Sequence, residues 1–184
     1  MLKEEYKKII GGYKYSDEDS FVSYRPKIDV HVFEREYKGS IFNTLITDGM
    51  SSLAMRDTSD LCRAELIMYV DNIKREHFKM IRYVAGSPHI DNFSLRQNET
   101  VAYLSNWIDG SELIDFLATK SVIQGEKDFS HIEVDGDPLN IYWLVPITRK
   151  EREFKNMNGT NALLEKFEEK KEPFILNELR DSVV

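Results

Sequence analysis

The segment RAELIMYV, Arg63–Val70, constrains the fold more than any other stretch. In an extended chain successive side chains point to opposite faces. Ala64, Leu66, Met68 and Val70 therefore share one face, and Arg63, Glu65, Ile67 and Tyr69 share the other. Apolar residues stand on both faces towards the end of the run, which is the pattern of an interior strand. Neighbouring strands are legible nearby. In KIDVHVFERE, Ile28, Val30 and Val32 alternate with Asp29, His31 and Phe33, and IFNTLIT reads as a second strand that pairs with it across the YKGS turn at 37–40. In HIEVDGDPLNIYWLVPI, Asp135-Gly136 sits between two β-rich runs and predicts a hairpin.

Helical periodicity marks the remaining elements. MLKEEYKKII spaces Leu2, Tyr6, Ile9 and Ile10 as a helix that Gly11-Gly12 stops, and the polar, acidic residues 13–20 read as a loop. The clearest helix is DNIKREHFKMIRYVAGSPH. Ile73, His77, Met80, Ile81 and Val84 define one face, Asp71 or Asn72 can cap its start, and Gly86 with Pro88 is expected to end it. For residues 90–125, TVAYLSNW and SELIDFLATKSV fit a short helix or a strand equally well. Thr148 and Glu151 have the spacing of a capping box for the short helix EREFKNM, closed by Asn158-Gly159. A second helix, TNALLEKFEEK, stops before Pro173.

The 184 residues fit one domain, without a repeat, linker or shift in composition that would divide the chain. No run approaches the ~20 apolar residues of a membrane span. The N-terminus is charged and lacks the apolar core of a signal peptide, and the single cysteine, Cys62, cannot close an internal disulfide; a cytoplasmic location is expected. The net charge is -7, from 25 basic and 32 acidic residues. Nucleic-acid binders need a concentrated positive face. Here the basic residues are mixed among acids, as in KREHFK and ITRKEREFK, so direct nucleic-acid binding is not expected. An acidic surface suits a basic partner.

No catalytic signature emerges. Ser51 follows Asp48-Gly49, but a nucleophile elbow needs Gly-x-Ser-x-Gly, and Leu53 stands where the second glycine belongs. The plainer reading is a structural corner in which Gly49 permits a positive-φ turn and Ser51 or Ser52 hydrogen-bonds the chain beyond it. His89 and Asp91 could supply two metal ligands, with His31 or His131 as a third, yet zinc spacing and His-Glu-x-x-His are missing. Cys62 lies beside Arg63, which could lower its pKa slightly, although a small buried apolar residue describes it better. Phosphate-cradling glycine motifs are absent, so no cofactor is expected. Asp17, Glu18, Asp19, Glu34 and Glu36 read as solvated acids that could receive a partner's lysines and arginines.

Taken in order, IDVHVF (28–33), TLITDGMSSLAM (44–55), RAELIMYV, MIRYVAGSPH (80–89), YWLVPIT (142–148) and EFKNMNGTNALLEKFEE (153–169) resemble the suppressor of fused domain family. The second is the most specific. Family members read T-L-V-T-x-G-M-S-x-x-x-M there, and Thr44, Leu45, Thr47, Gly49, Met50, Ser51 and Met55 match. The resemblance spans roughly residues 24–170. It departs after Pro88-His89, where many members carry an Asn-Thr-x-x-Gly-x-Gly-His-like segment and this chain retains only Asn92.

The resemblance implies an α+β domain, a mixed sheet with helices packed against it, and binding without catalysis. Bacterial single-domain members look like immunity proteins or antitoxins of polymorphic toxin systems, including toxins with an LXG secretion domain, which are often nucleases. A basic protein toxin would then be the partner. The candidate contacts are Asp17, Glu18, Asp19, Glu34 and Glu36, together with Asp91, Asn92, Phe93 and Trp107 in the divergent region. Two rivals stand beside this reading: a regulator that clamps an extended peptide against its sheet, and a metal-dependent hydrolase built on His89 and Asp91.

Overall fold

The computed structural model describes residues 2–20, 25–55, 62–103, 107–121, 123, 129 and 131–184. Among the described residues the chain forms an α+β domain around one mixed sheet. Its elements run α1 (Leu2–Ile10), β1 (Tyr13–Asp17), β2 (Asp29–Tyr37), β3 (Ser40–Asp48), a short 3-10 helix at Met50–Ser52, β4 (Arg63–Val70), α2 (Arg75–Asp91), β5 (Thr100–Ala102), β6 (Leu113–Thr119), β7 (Glu133–Val134), β8 (Asp137–Thr148), α3 (Arg149–Asn158) and α4 (Thr160–Lys170). The sheet order is β1-β2-β3-β4-β8-β6-β5, with β7 paired to β8. β4 and β8 are parallel at the centre, and the other pairs are antiparallel.

β4 is buried along its whole length, as an interior strand must be. Its alternation divides the core in two. Leu66, Met68 and Val70 face the side covered by Phe78, Met80, Ile81 and Val84 of α2. Ile67 and Tyr69 face the side covered by Tyr6 of α1 and Leu163 of α4. β8 repeats the device, with Leu144 on the first side and Trp143, Val145 and Ile147 on the second. No helix among the described residues is long and apolar enough to cross a membrane.

Three expectations are corrected. Residues 13–17 are a strand, not a loop, paired with β2 from Tyr13↔Phe33 to Asp17↔Val30; polar composition is compatible with an edge strand that has one neighbour. Asp71 and Asn72 do not cap α2. The helix starts after Lys74, whose N–H donates to His77 Nδ1 at 3.1 Å. Gly86 and Pro88 do not end it either. Proline removes the donor that the Val84 carbonyl would receive, and the Ser87 hydroxyl takes that carbonyl instead at 2.9 Å. Gly86 serves packing, because a Cβ there would lie 2.5 Å from Cδ of Arg25. The helix closes at Asn92, whose left-handed backbone (φ 56°) donates its N–H to the Pro88 carbonyl. In the undecided 90–125 region, β5 and β6 are strands; residues 104–106, 122, 124 and 125 lie outside the described residues.

Candidate interaction surface

The corner at Thr47–Ser52 answers to Glu65, a fully buried carboxylate on β4. Glu65 Oε1 accepts the Gly49 N–H (2.9 Å), the Ser51 N–H (2.9 Å) and the Ser51 hydroxyl (2.6 Å). Its Oε2 accepts the Thr47 hydroxyl at 2.5 Å. Gly49 is required because its φ is 134° and a Cβ would stand 2.0 Å from the Lys27 carbonyl oxygen. Arg63 donates to the Ser51 carbonyl at 2.7 Å, and His89 Nε2 donates to the Met50 carbonyl at 3.0 Å. Burial pushes the Glu65 carboxyl above its ordinary value, against the pull of those donors. Ser51 is only 2% exposed and gives its proton to Glu65, so this serine is a hinge pin of the corner and not a presented nucleophile.

The remaining chemistry-bearing side chains are likewise placed in structural ties. The His89 ring is spent on the corner, Asp91 is exposed at the end of α2, and no three His, Cys, Asp or Glu side chains gather at metal-binding range among the described residues. Burial raises the Cys62 thiol, in keeping with a small packed residue, and the Arg63 guanidinium is turned to Ser51, Asp135 and Asp137.

The candidate contact residues fall into two environments. Asp17, Glu18 and Asp19 line one wall of an open groove of about 820 Å³ whose other wall is α2, from Lys74 through Phe78 and Arg82 to Ile90. Arg82 fastens the groove's floor, pairing with the Asp17 carboxylate at 2.6 Å and donating to the Asp17 and Ile28 carbonyls. Glu18 is exposed, but Asp19 is not. Asp19 is 8% exposed, accepts from Arg25 (2.5 Å) and from the Ile28 N–H (3.0 Å), and so ties the groove loop together. Asp91 and Asn92 are exposed where α2 ends, just beyond Ile90, and stand outside the groove's lining.

Glu34 and Glu36 are exposed on β2, and Glu34 pairs with Lys14 at 3.0 Å. Phe93 is half-buried against the α2 side of the core. Trp107, expected at a surface, is a core residue: it is 7% exposed, donates its indole N–H to the Leu113 carbonyl, and packs near His77 and Phe116. Asp19 and Trp107 look like surface residues in sequence because a polar loop or a lone tryptophan gives no sign of the partner that buries it. Sequence reasoning did not single out Tyr15, Tyr83 and Ile90, exposed apolar side chains that line the same groove. Their signal lay in apolar residues off the buried face of α2.

The comparisons with known proteins agree with this geometry. The family model for the suppressor of fused protein matches residues 25–181. Among curated proteins, none matches the chain at a significant level. A suppressor of fused homologue from Neisseria gonorrhoeae is 18% identical, with a TM-score of 0.74 over 100% of this chain and 94% of that one. The Sufu–Fu complex shows 10% identity and a TM-score of 0.73, covering 99% of this chain and 88% of the matched chain. Drosophila Suppressor of Fused, at 10% identity and a TM-score of 0.62, is matched over 86% of this chain and 47% of its own length. At such identities the likenesses to solved structures carry the fold, while the family model carries membership: the chain belongs to the suppressor of fused protein family.

Proposed function

We propose that this chain is a non-catalytic, intracellular immunity or antitoxin protein that binds a cognate polymorphic toxin of the LXG type, such as a nuclease, and neutralises it by covering its active surface. The observation that carries the reading is the groove between β1 and α2, an open cleft with exposed apolar side chains, lined by Asp17, Glu18 and Asp19 and by the cations of Arg25, Lys74, Arg75, Lys79 and Arg82, on a chain whose net charge is -7. A basic toxin surface is attracted to such a chain, and an interface of ordinary size would bury ~1,600 Å² in total. The partner-contact set is Glu18, Glu34, Glu36, Asp91, Asn92 and Phe93, with Asp17, Asp19 and Trp107 holding the surface in shape.

The test is capture from source lysate at low and high salt, with bound chains identified by mass spectrometry and their toxicity assayed with and without this protein. A basic toxin retained at low salt, whose killing is abolished stoichiometrically, is the expected result. Undiminished neutralisation by a Glu18→Lys, Glu34→Lys, Glu36→Lys variant would remove the electrostatic part.

One observation favours a second reading, a regulator that clamps an extended peptide: β1 ends the sheet, and Tyr15 on it is 41% exposed. A peptide array in which a short linear motif binds as tightly as any whole protein would favour it.

A further inference from the structure

Residues 172–180 run past the end of β4: Phe174 and Ile175 pack on the second face of the sheet, and Glu178 pairs with Lys74 and His77 on the α2 side. The Leu176 N–H donates to the Tyr69 carbonyl at 2.9 Å, and Leu176 bridges Val70 of β4. Beside this segment lies a partly open pocket of about 290 Å³, lined by Tyr69, Trp143, Val145, Leu164, Phe167 and Phe174 among others. An apolar cavity of ~150 Å³ already takes up benzene, so this pocket has room for one large side chain. Aromatic packing fixes one of its walls. Phe174 stands edge-on to Tyr37, Phe42 and Tyr69 at ring separations of 5.6, 5.2 and 5.8 Å.

Two further lining residues, Glu168 and Glu172, have no ion-pair partner among the described residues. Arg180, the cation on the same wall, is committed to Glu151 and the Pro146 carbonyl. A preformed apolar cavity suits a single buried anchor, the kind of contact that dominates interface energetics. The two free carboxylates select what flanks that anchor, because a neutral ligand gains nothing from them and a basic segment does.

We propose that this cavity is an anchor pocket for a basic protein partner, taking one aromatic or branched aliphatic side chain flanked by lysine or arginine. The proposal rests on the reading above that the partner is basic. It places the strongest contact away from the groove between β1 and α2, on the face that carries α4.

The test uses the full chain, the peptides acetyl-Lys-Phe-Lys-amide, acetyl-Lys-Ala-Lys-amide and acetyl-Glu-Phe-Glu-amide, and indole as a small-molecule control, with the Val145 and Leu164 methyl resonances as the readout. Saturable shifts with Lys-Phe-Lys are expected. Glu-Phe-Glu should bind about tenfold more weakly, and Lys-Ala-Lys should not saturate. A Glu168→Lys, Glu172→Lys variant should lose the preference for the basic peptide, and a folded Leu164→Trp variant should lose binding altogether. Equal binding of Glu-Phe-Glu, tighter binding of indole than of Lys-Phe-Lys, or no saturable shift would overturn the proposal.

The two readings fail separately. If the lysine variant neutralises the captured toxin at unchanged stoichiometry, the pocket is not the anchor and immunity stands. If Lys-Phe-Lys binds as expected to a chain that neutralises no toxin, the pocket stands and immunity falls.

Discussion

Glu65 and Glu151 are both fully buried carboxylates, yet they are stabilised by opposite means. Glu65 is held by hydroxyls and backbone N–H groups of the corner it organises, with no cation on it among the described residues. Glu151 caps α3, accepting the Thr148 N–H at 2.8 Å, and also receives both terminal nitrogens of Arg180 (2.6 and 2.8 Å) and the Val183 N–H (2.8 Å). The first arrangement shapes a turn from residues close by in space and leaves the acid destabilised by desolvation. The second ties residues 180–183 to the start of α3, and its ion pair depends on one cation 29 residues away.

The sharpest way to break this contrast is Glu151→Ala. Removing one member of a buried pair leaves Arg180 uncompensated and should cost about 3–5 kcal/mol. Chemical denaturation would measure it, and limited proteolysis should show residues 172–184 released. A compensated Glu151→Leu, Arg180→Leu double variant should recover much of that loss if charge burial is the cause.

Glu65→Gln should cost less, about 1–3 kcal/mol, because the corner's donors keep an acceptor and lose only part of their partner. It should also change the pH response. The folded pKa of Glu65 is raised by desolvation, so in the native state this group binds its proton more tightly than in the unfolded chain. Its contribution is complete below the ordinary value near 4.5 and is lost as pH rises through the folded value. Denaturation profiles from pH 4 upward should be flatter for the glutamine variant; identical slopes would show that Glu65 is not the titrating group.

His89→Ala, which frees the Met50 carbonyl, should cost about 0.5–1.5 kcal/mol. His89 and His77 are both lowered by burial, so their contribution is present above 6.5 and is lost as pH falls through their folded values. A variant lacking both rings should lose part of the wild type's acid sensitivity below neutrality. Smallest of all, Lys14→Ala should shift stability by no more than about 0.5 kcal/mol, since its pair with Glu34 is solvated and screened. A larger effect would mean that β1 depends on that pair more than on its ladder.

The chain's own pattern predicted much of this frame. The interior strand, both hairpins, the Thr148–Glu151 cap and the helical face of α2 follow from periodicity and turn chemistry, which act over a few residues. Pro88 misled because the Ser87 hydroxyl compensates for the missing donor, and strand β1 was hidden because its polar residues are an edge strand's own. The surface was harder to read. Glu34 and Asp91 are exposed as expected, but Asp19 and Trp107 are buried by Arg25 and by the α2 face, and neither partner is announced by local sequence.

By itself, then, the sequence determined most of the elements, the family and the acidic balance, because these depend on side-chain spacing and on residue order. Only the tertiary structure decided that Ser51 serves a buried carboxylate, that α2 and residues 15–20 form the two walls of one groove, and that residues 172–180 help to wall an apolar pocket. Each of those depends on groups far apart in the chain meeting in space, where burial sets what a polar or apolar side chain is worth.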